Sequence, residues 1–353
     1  MEIIDVWFEA LTAKQSLLFS IIAEALVKNK ISYLITTRDY DYIISLLKMR
    51  KKSFVTFGRY GGLSKKDKMN SSLKRMKMIF NFLKNYKVRV HLSFTSPDST
   101  RIAYGLGIPI ILLSDSPHSD IVNKLTIPLA NKLIVPICTY RKFLKYRIDT
   151  EIISFDGVFE TVWTKSFKPN KKVLGKLKPY SYVIVRLEEI KASYYPIKGQ
   201  YTFMTYIIDY LLKNKIKILV YPRYRDQRIY IKEKYREHIN KLILIPKYAK
   251  ELQSLEYYSL MVITGGTSIA HESSLLGVPS ITIFPKKLPV TEYIIKKGFP
   301  LFATHNKKDI INLIHDIFEN NEKYRVKNDE LRILHEKLED PIPLILNNIK
   351  LFL

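Results

Sequence analysis

Short apolar runs alternate with amphipathic segments along the first half of the chain. The runs predict strands at residues 3–8, 31–36, 54–57, 88–93, 108–114 and 132–136. Helical spacing of apolar residues predicts helices between them, at 14–28, 40–48, 99–106 and 119–129 and in a lysine-rich segment after residue 64. This alternation indicates a parallel sheet with helices on both faces, and such sheets bind ligands at the carboxyl ends of their strands.

A second alternation begins near residue 182. It predicts strands at 182–186, 216–221, 242–245 and 281–284 and helices at 201–213, 228–241, 252–259, 291–297 and 307–320. Before it, residues 166–180 contain two prolines, one glycine and five lysines without an acid, a composition typical of a linker. We therefore predict an N-terminal domain at 1–165, a C-terminal domain at 181–338, and an apolar helix at 339–353 that crosses back to the first domain.

Length and composition are consistent with two domains. The chain has 353 residues, of which 47% are apolar, so each half can form a core of its own. Cys138 is the one cysteine, which excludes an internal disulfide and a multi-cysteine zinc site. No stretch approaches the ~18 consecutive apolar residues of a membrane span. We expect a cytoplasmic protein without a cleaved signal, a metal centre or a bound cofactor.

The net charge of +25 fits nucleic acid, an anionic membrane surface or anionic small substrates as partners. Residues 65–89 carry nine basic side chains against Asp67. Within them Leu73, Met76, Phe80 and Leu83 lie at helical spacing, so this segment predicts a basic amphipathic helix. Its apolar stripe either packs on the core of the protein or lies on anionic lipid at the inner membrane face. Alternatively, the many lysines reflect a compositional bias and indicate no binding partner.

The segment 263–284 reads as strand end, glycine turn, helix and strand. Gly265 and Gly266 allow backbone N–H groups to close on an anion, and Thr267 and Ser268 add hydroxyls where the helix begins. Glu272 follows one helical turn later on the same face, where it could accept hydrogen bonds from a sugar. The alternative is an ordinary strand–helix turn with hydroxyl capping.

Several motifs together resemble the GT-B architecture, two Rossmann-like doubly wound parallel-sheet domains facing a cleft. They are similar to MurG-type N-acetylglucosaminyltransferases, to non-hydrolysing UDP-N-acetylglucosamine 2-epimerases and, more closely, to the archaeal DUF354 family of unknown function. The matching segments are ITTRDY (35–40), FGRYGG (57–62), RIAYGLGIP (101–109), SDSPHSDIVNKLTIPLANKLIVP (114–136), YVIVR (182–186), YPRYRDQR (221–228) and GGTSIAHESSLLGVP (265–279).

The resemblance implies that the glycine turn binds the diphosphate of a nucleotide-sugar and that Glu272, five residues before Gly277, holds the ribose. Arg186 and Arg223 lie at or just beyond strand ends in the same half, where a guanidinium can bind phosphate oxygens; the alternative is that both are solvated surface arginines.

Candidates for the chemistry lie in the first half. Glu9 ends the first strand, either as a general base or as a helix cap. Asp115 and His118 follow the strand at 108–114, where a carboxylate that orients an imidazole suits a base or a contact to one metal ion. His118 is alternatively a plain turn residue.

The chain departs from the enzymes that it resembles, because EALTAKQ (9–15) has neither the glycine-rich loop nor the histidine of the related transferases. Three functions stay open. The first is a glycosyltransferase with a UDP-sugar donor and a lipid-linked or glycan acceptor, and the second is a UDP-sugar 2-epimerase. The third, a nucleic-acid-binding protein, is disfavoured because no nucleic-acid-reading motif is present. The oligomeric state is left open.

Overall fold

The computed structural model describes residues 1–62, 64–190, 202–246 and 251–353. They form two compact units, Met1–Trp163 with Leu338–Leu353, and Thr164–Lys337. Each unit contains one parallel sheet. None of the helices in the described ranges is both long enough and apolar enough to cross a bilayer.

The first sheet has seven strands in the order β3-β2-β1-β4-β5-β6-β7. Their bounds are β1 Glu2–Ala10, β2 Tyr33–Asp39, β3 Val55–Arg59, β4 Tyr86–Ser93, β5 Ile110–Leu113, β6 Lys132–Pro136 and β7 Glu151–Phe155. Trp7 and Phe8 are adjacent in β1 and both fully buried. Because neighbouring residues of a strand face opposite ways, helices must cover both faces of this sheet.

The helices of the first unit pack on those two faces. They are α1 Ala13–Lys28, α2 Ile43–Met49, α3 Lys65–Leu83, α4 Pro97–Gly105, α5 Asp120–Thr126, α6 Tyr140–Phe143 and α7 Thr161–Thr164. The core around Phe8 holds side chains of α1 and α2, and the core around Trp7 holds those of α3, α4 and α6. Trp163 also lies in the Phe8 core, so both tryptophans of the chain belong to the first unit.

The second sheet has six strands in the order β10-β9-β8-β11-β12-β13. The strands are β8 Tyr182–Arg186, β9 Lys217–Tyr221, β10 Ile243–Leu244, β11 Met261–Thr264, β12 Ser280–Thr282 and β13 Leu301–Ala303. The helices are α8 Thr202–Lys213, α9 Arg225–Lys234, α10 Leu252–Tyr257, α11 Ser268–Leu275, α12 Pro289–Lys296, α13 Lys307–Glu319, α14 Asn321–Tyr324 and α15 Asn328–Glu336. Alternate residues of β8 enter two separate cores, so this sheet is also covered on both faces.

Two segments outside the sheets complete the units. Residues 166–180 belong to the second unit, where Leu174 is buried in the core beside Tyr182 and Asn170 N donates to Ser254 Oγ at 3.0 Å. The last helix, α16 (Pro341–Lys350), places Ile345 and Ile349 in the Phe8 core of the first unit. Within the described ranges, short 3-10 helices lie at Ile127–Leu129, Ile137–Thr139, Leu144–Tyr146, Lys171–Leu174 and Arg236–His238.

The strand order places a switch point in each sheet. In the first sheet, β2 and β3 are added on one side of β1, and β4 then pairs with the other side of β1. In the second sheet, β9 and β10 are added on one side of β8, and β11 pairs with its other side. The connections diverge there, and the gap beyond the strand ends is where open parallel sheets bind ligands. Glu9 lies at the end of β1, and Gly265 follows β11, so candidate residues from the sequence lie at both switch points.

Candidate functional site

The glycine turn connects β11 to α11, which begins at Ser268. Gly266 N donates to Thr264 Oγ1 at 3.0 Å, and Thr282 Oγ1 donates to Gly266 O at 2.8 Å. Thr267 is half-buried and Ser268 is exposed, and each carries a hydroxyl where the helix starts. The first N–H groups of a helix have no partner within it, and an anion can accept from them.

Gly265 lies against the backbone of Glu188, which follows β8. Its N–H donates to the carbonyl of Arg186 at 2.9 Å. A Cβ atom at this position would lie 2.5 Å from Cγ and 2.7 Å from Cα of Glu188. Only glycine fits against a neighbouring backbone at such distances.

Arg223 lies directly against the turn. A Cβ atom on Gly266 would be 2.6 Å from its Nη2. The guanidinium is held by Nε, which donates to Leu187 O at 3.1 Å, and by Nη1, 3.1 Å from Glu189 Oε2. A fixed cation beside the positive end of a helix favours a phosphate group.

Arg186 lies deeper than Arg223 and is buried. Its Nη1 donates to Pro222 O at 3.0 Å. This bond ties the end of β8 to the loop that carries Arg223. The geometry therefore supports Arg186 as a residue that positions Arg223.

Glu188 is a buried acid at the same switch point. Its side chain is 1% exposed, and Oε1 accepts from Met204 N at 3.1 Å. Burial raises the pKa of Glu188 from 4.5 to about 7, and the nearby backbone N–H groups and Arg223 oppose that rise. Glu188 is thus a carboxyl group that lies against the glycine turn and has a pKa near neutral.

The stability of the second unit is expected to fall as pH rises from about 4.5 to about 7. In this window the folded state binds more protons at Glu188 than the unfolded state does, because the folded pKa is the higher one. Glu188→Gln removes the titration and should stabilise the protein at pH 8 by about 3 kcal/mol relative to wild type, with no gain at pH 4.

Urea unfolding at several pH values, followed by circular dichroism, measures this difference. Glu319→Gln, an exposed change in the same unit, is the matched control. A gain that is equal at pH 4 and pH 8 would exclude titration of Glu188 as its cause.

Glu272 lies on α11, and a second acid accompanies it. Glu256 of α10 is completely buried. Burial, followed by the negative charge of the neighbouring Glu272, raises the pKa of Glu256 well above its ordinary value. A proton retained on Glu256 removes a second negative charge from beside Glu272.

At the switch point of the first sheet, Glu9 forms a buried ion cluster. It contacts Arg75 of α3 and accepts from Thr36 Oγ1. Arg75 Nη1 also lies 3.0 Å from Asp98 Oδ2. Burial raises the pKa of Glu9, and the Arg75 guanidinium and the Thr36 hydroxyl oppose the rise. Glu9 is 0% exposed, so its carboxylate is committed to the interior.

Asp115 belongs to a different cluster, centred on Lys14 of α1. Lys14 Nζ forms ion pairs with Asp115 and, at 2.6 Å, with Glu160 Oε1. Both carboxylates raise the pKa of Lys14, against the effect of burial. The side chains of Lys14 and Asp115 are 14% and 12% exposed, so this cluster reaches the surface whereas Glu9 does not. His118 is half-buried three residues after Asp115.

The described residues contain no group of three His, Cys, Asp or Glu side chains that could hold a metal ion. A cavity of about 540 Å³ lies at the amino-terminal edge of the second sheet, lined by residues that include Tyr180, Lys217 and Leu260. That edge is opposite to the glycine turn, so the cavity is separate from the candidate site.

Comparison with known proteins identifies the family. Residues 4–348 match DUF354, described as a protein of unknown function. An uncharacterized protein of Methanocaldococcus jannaschii is 31% identical over 322 residues, which cover 89% of this chain and 91% of the relative. The chain therefore belongs to the DUF354 family.

Solved structures show the same fold at low identity. The UDP-GlcNAc 2-epimerase of Methanocaldococcus jannaschii, in complex with UDP-GlcNAc and UDP, has a TM-score of 0.73 at 16% identity over 99% of this chain and all of that one. The epimerase of Neisseria meningitidis, bound to UDP-GlcNAc, has 0.73 at 14% with the same coverage. Spinosyn forosaminyltransferase has 0.61 at 12%, over 98% of each chain. The GT-B fold class predicted from the sequence is confirmed.

Proposed function

We propose that this DUF354 protein is an enzyme that acts on a UDP-sugar, with the diphosphate held by the second unit. The observation that carries the proposal is the glycine turn at the start of α11, with the Arg223 guanidinium against Gly266. A helix N-terminus, two hydroxyls and a fixed arginine together provide donors and positive charge for phosphate oxygens. The complexes of two similarly folded epimerases with UDP-GlcNAc support a UDP-sugar as the ligand.

Each predicted binding residue has a role in this proposal. Gly265 and Gly266 let the backbone approach the diphosphate, and Thr267 and Ser268 donate to it. Glu272 accepts from the ribose hydroxyls. Arg223 binds phosphate directly, and Arg186 holds the loop in which Arg223 lies.

The first reaction that we propose is transfer of the sugar to an acceptor. It needs a base for the acceptor and positive charge for the departing diphosphate. Asp115 is the better candidate for the base, since Glu9 is fully buried against Arg75. Lys14 forms an ion pair with Asp115, and His118 lies in the same loop as Asp115.

The second candidate reaction is 2-epimerisation of the UDP-sugar, which needs no acceptor. The higher TM-scores of the two epimerases, 0.73 against 0.61 for the transferase, favour it. Proton NMR of UDP-GlcNAc with the protein alone separates the two reactions. A new epimer without acceptor supports epimerisation, and turnover that requires an added acceptor supports transfer.

Calorimetric titration with UDP tests the shared premise. We expect UDP to bind more tightly than UMP, because UMP lacks the second phosphate. Glu272→Ala should weaken UDP binding about 10- to 100-fold, since a hydrogen bond to a charged group contributes about 1.5–3 kcal/mol.

Glu319→Ala, which removes an exposed acid from the end of α13, should bind UDP like wild type. Glu272→Ala, unlike Glu319→Ala, should also discriminate less well than wild type between UDP and 2′-deoxy-UDP. The proposal would be wrong if the wild-type protein bound neither UDP nor UMP nor any other nucleoside diphosphate at millimolar concentration.

A further inference from the structure

The rotation of α3 about its axis is fixed by a buried charge. Arg75, Ile79 and Leu83 are the buried residues of this helix. Arg75 contacts Glu9 and Asp98, and its Nε donates to Phe57 O at 3.1 Å. A desolvated guanidinium with three such partners has one acceptable orientation. The exposed sides of α3 therefore have a fixed orientation as well.

A row of exposed, large apolar residues lies on one side of α3, about 100° round the helix from the centre of its buried side. Met69, Leu73 and Phe80 are 59%, 51% and 41% exposed. At 100° per residue they lie within about 40° of one another round the helix. Of the stripe expected from the sequence, Leu83 is buried and Met76 is partly buried, but Leu73 and Phe80 face outwards. The core thus does not account for this stripe.

Positive charge borders the exposed stripe. The exposed basic residues of this segment are Lys65, Lys66, Lys74, Lys77, Lys84, Lys87 and Arg89. Lys84 Nζ lies 5.1 Å from the centre of the Phe80 ring. Asp67, the acid of this helix, accepts a hydrogen bond from the hydroxyl of Ser64, which precedes the helix, and its backbone N–H donates to the same hydroxyl. An apolar row with lysines beside it matches the charge and polarity of an anionic lipid surface.

We propose that the outward side of α3 docks the protein on an anionic lipid bilayer. Met69, Leu73 and Phe80 enter the boundary between headgroups and acyl chains, and Lys66, Lys77 and Lys84 contact anionic headgroups. A second copy of this chain is a poor occupant because the lysines of two copies would repel. A nucleic acid would use the lysines but would leave Met69 and Leu73 without a partner. The inference does not depend on the reaction proposed above.

Flotation of the full chain with vesicles of 30% phosphatidylglycerol and 70% phosphatidylcholine tests the proposal. We expect binding at 0.1 M NaCl that is much weaker with pure phosphatidylcholine and at 0.5 M NaCl. Leu73→Ser/Phe80→Ser should reduce partitioning at least about tenfold, because both inserted side chains are lost. Lys66→Glu/Lys77→Glu should reduce it more than tenfold, since each lysine contributes about fivefold and each glutamate repels.

Matched controls separate this side from the rest of the molecule. Met78→Ser changes a residue of the same helix that is 45% exposed but lies about 140–160° away from Leu73 and Phe80. Lys307→Glu/Lys308→Glu makes the same charge change at exposed residues of the second unit. Both controls should keep at least half of the wild-type partitioning, and circular dichroism melts show whether each variant is folded.

Three results would overturn the proposal. One is no binding of wild type to the anionic vesicles. Another is undiminished binding of folded Leu73→Ser/Phe80→Ser. The third is tight, salt-sensitive binding of a labelled 20-nucleotide RNA by a protein that does not bind the vesicles. If Lys66→Glu/Lys77→Glu abolished this RNA binding and Leu73→Ser/Phe80→Ser left it unchanged, this side of α3 would be assigned to nucleic acid.

Discussion

Arg75→Met is expected to destabilise the protein by about 3–5 kcal/mol, because removal of one partner leaves a buried carboxylate without its counter-charge. Glu9 is 0% exposed and cannot recover its hydration in the folded state. Asp98, 16% exposed, is closer to water and loses less. Urea unfolding at pH 7 measures the change, and the midpoint should shift without a change in the slope.

Glu9→Gln/Arg75→Met tests the physical reason. A neutral amide beside an apolar side chain needs no counter-charge, so the double variant should be more stable than Arg75→Met alone. In Arg75→Met, the guanidinium that opposes the rise of the Glu9 pKa is lost and the Thr36 hydroxyl remains, so the stability should fall as pH rises above 4.5. Arg89→Met, at an exposed ion pair, should change stability by less than about 1 kcal/mol. Equal destabilisation of the single and double variants would contradict the assignment.

Gly265→Ala is expected to weaken UDP binding on the order of 100-fold, as the turn loses its backbone donors to phosphate. The added methyl group would overlap Cγ, Cα and N of Glu188, all within 2.8 Å. Since backbone atoms cannot rotate away, β8 and β11 must separate and break the bond from Gly265 N to Arg186 O. Overpacking of this kind also costs about 1–3 kcal/mol in stability.

Gly105→Ala is the matched control, since the Cβ atom there has its nearest neighbour, Arg101 Nη1, at 3.7 Å. It should leave UDP affinity unchanged and should be neutral or slightly stabilising. Calorimetry and urea unfolding give both quantities for each variant. Wild-type UDP affinity in Gly265→Ala would remove the glycine turn from the proposed site.

Local signals were enough for most of the fold. The glycine turn and the start of α11 at Ser268 follow from neighbouring residues, and Gly277, just after α11, has a positive φ of 77°, which is common after a helix end. The strands β7 and β13 were not predicted. Strand β13 has three residues, and β7 follows a stretch of short helical turns that interrupts the alternation of strands with longer helices.

The partners within the site were harder to predict because they are distant in sequence. Lys14 lies 101 residues from Asp115 and 146 from Glu160, and Glu9 lies 66 from Arg75. Composition marks each as charged, but only the strand order brings them to one edge of a sheet. Glu188 and Glu256 were missed for a related reason, since a buried acid resembles a surface acid until its surroundings are known.

Trp7 and Trp163, the two tryptophans of the chain, both lie in cores of the first unit. Indole emission, which shifts to longer wavelength when water reaches the ring, therefore reports on that unit, and far-ultraviolet dichroism reports on both. Arg75→Met should move the emission transition, whereas Gly265→Ala should move the dichroism and leave the emission in place. The chain thus contains an intrinsic fluorophore pair that distinguishes unfolding of one unit from unfolding of the other.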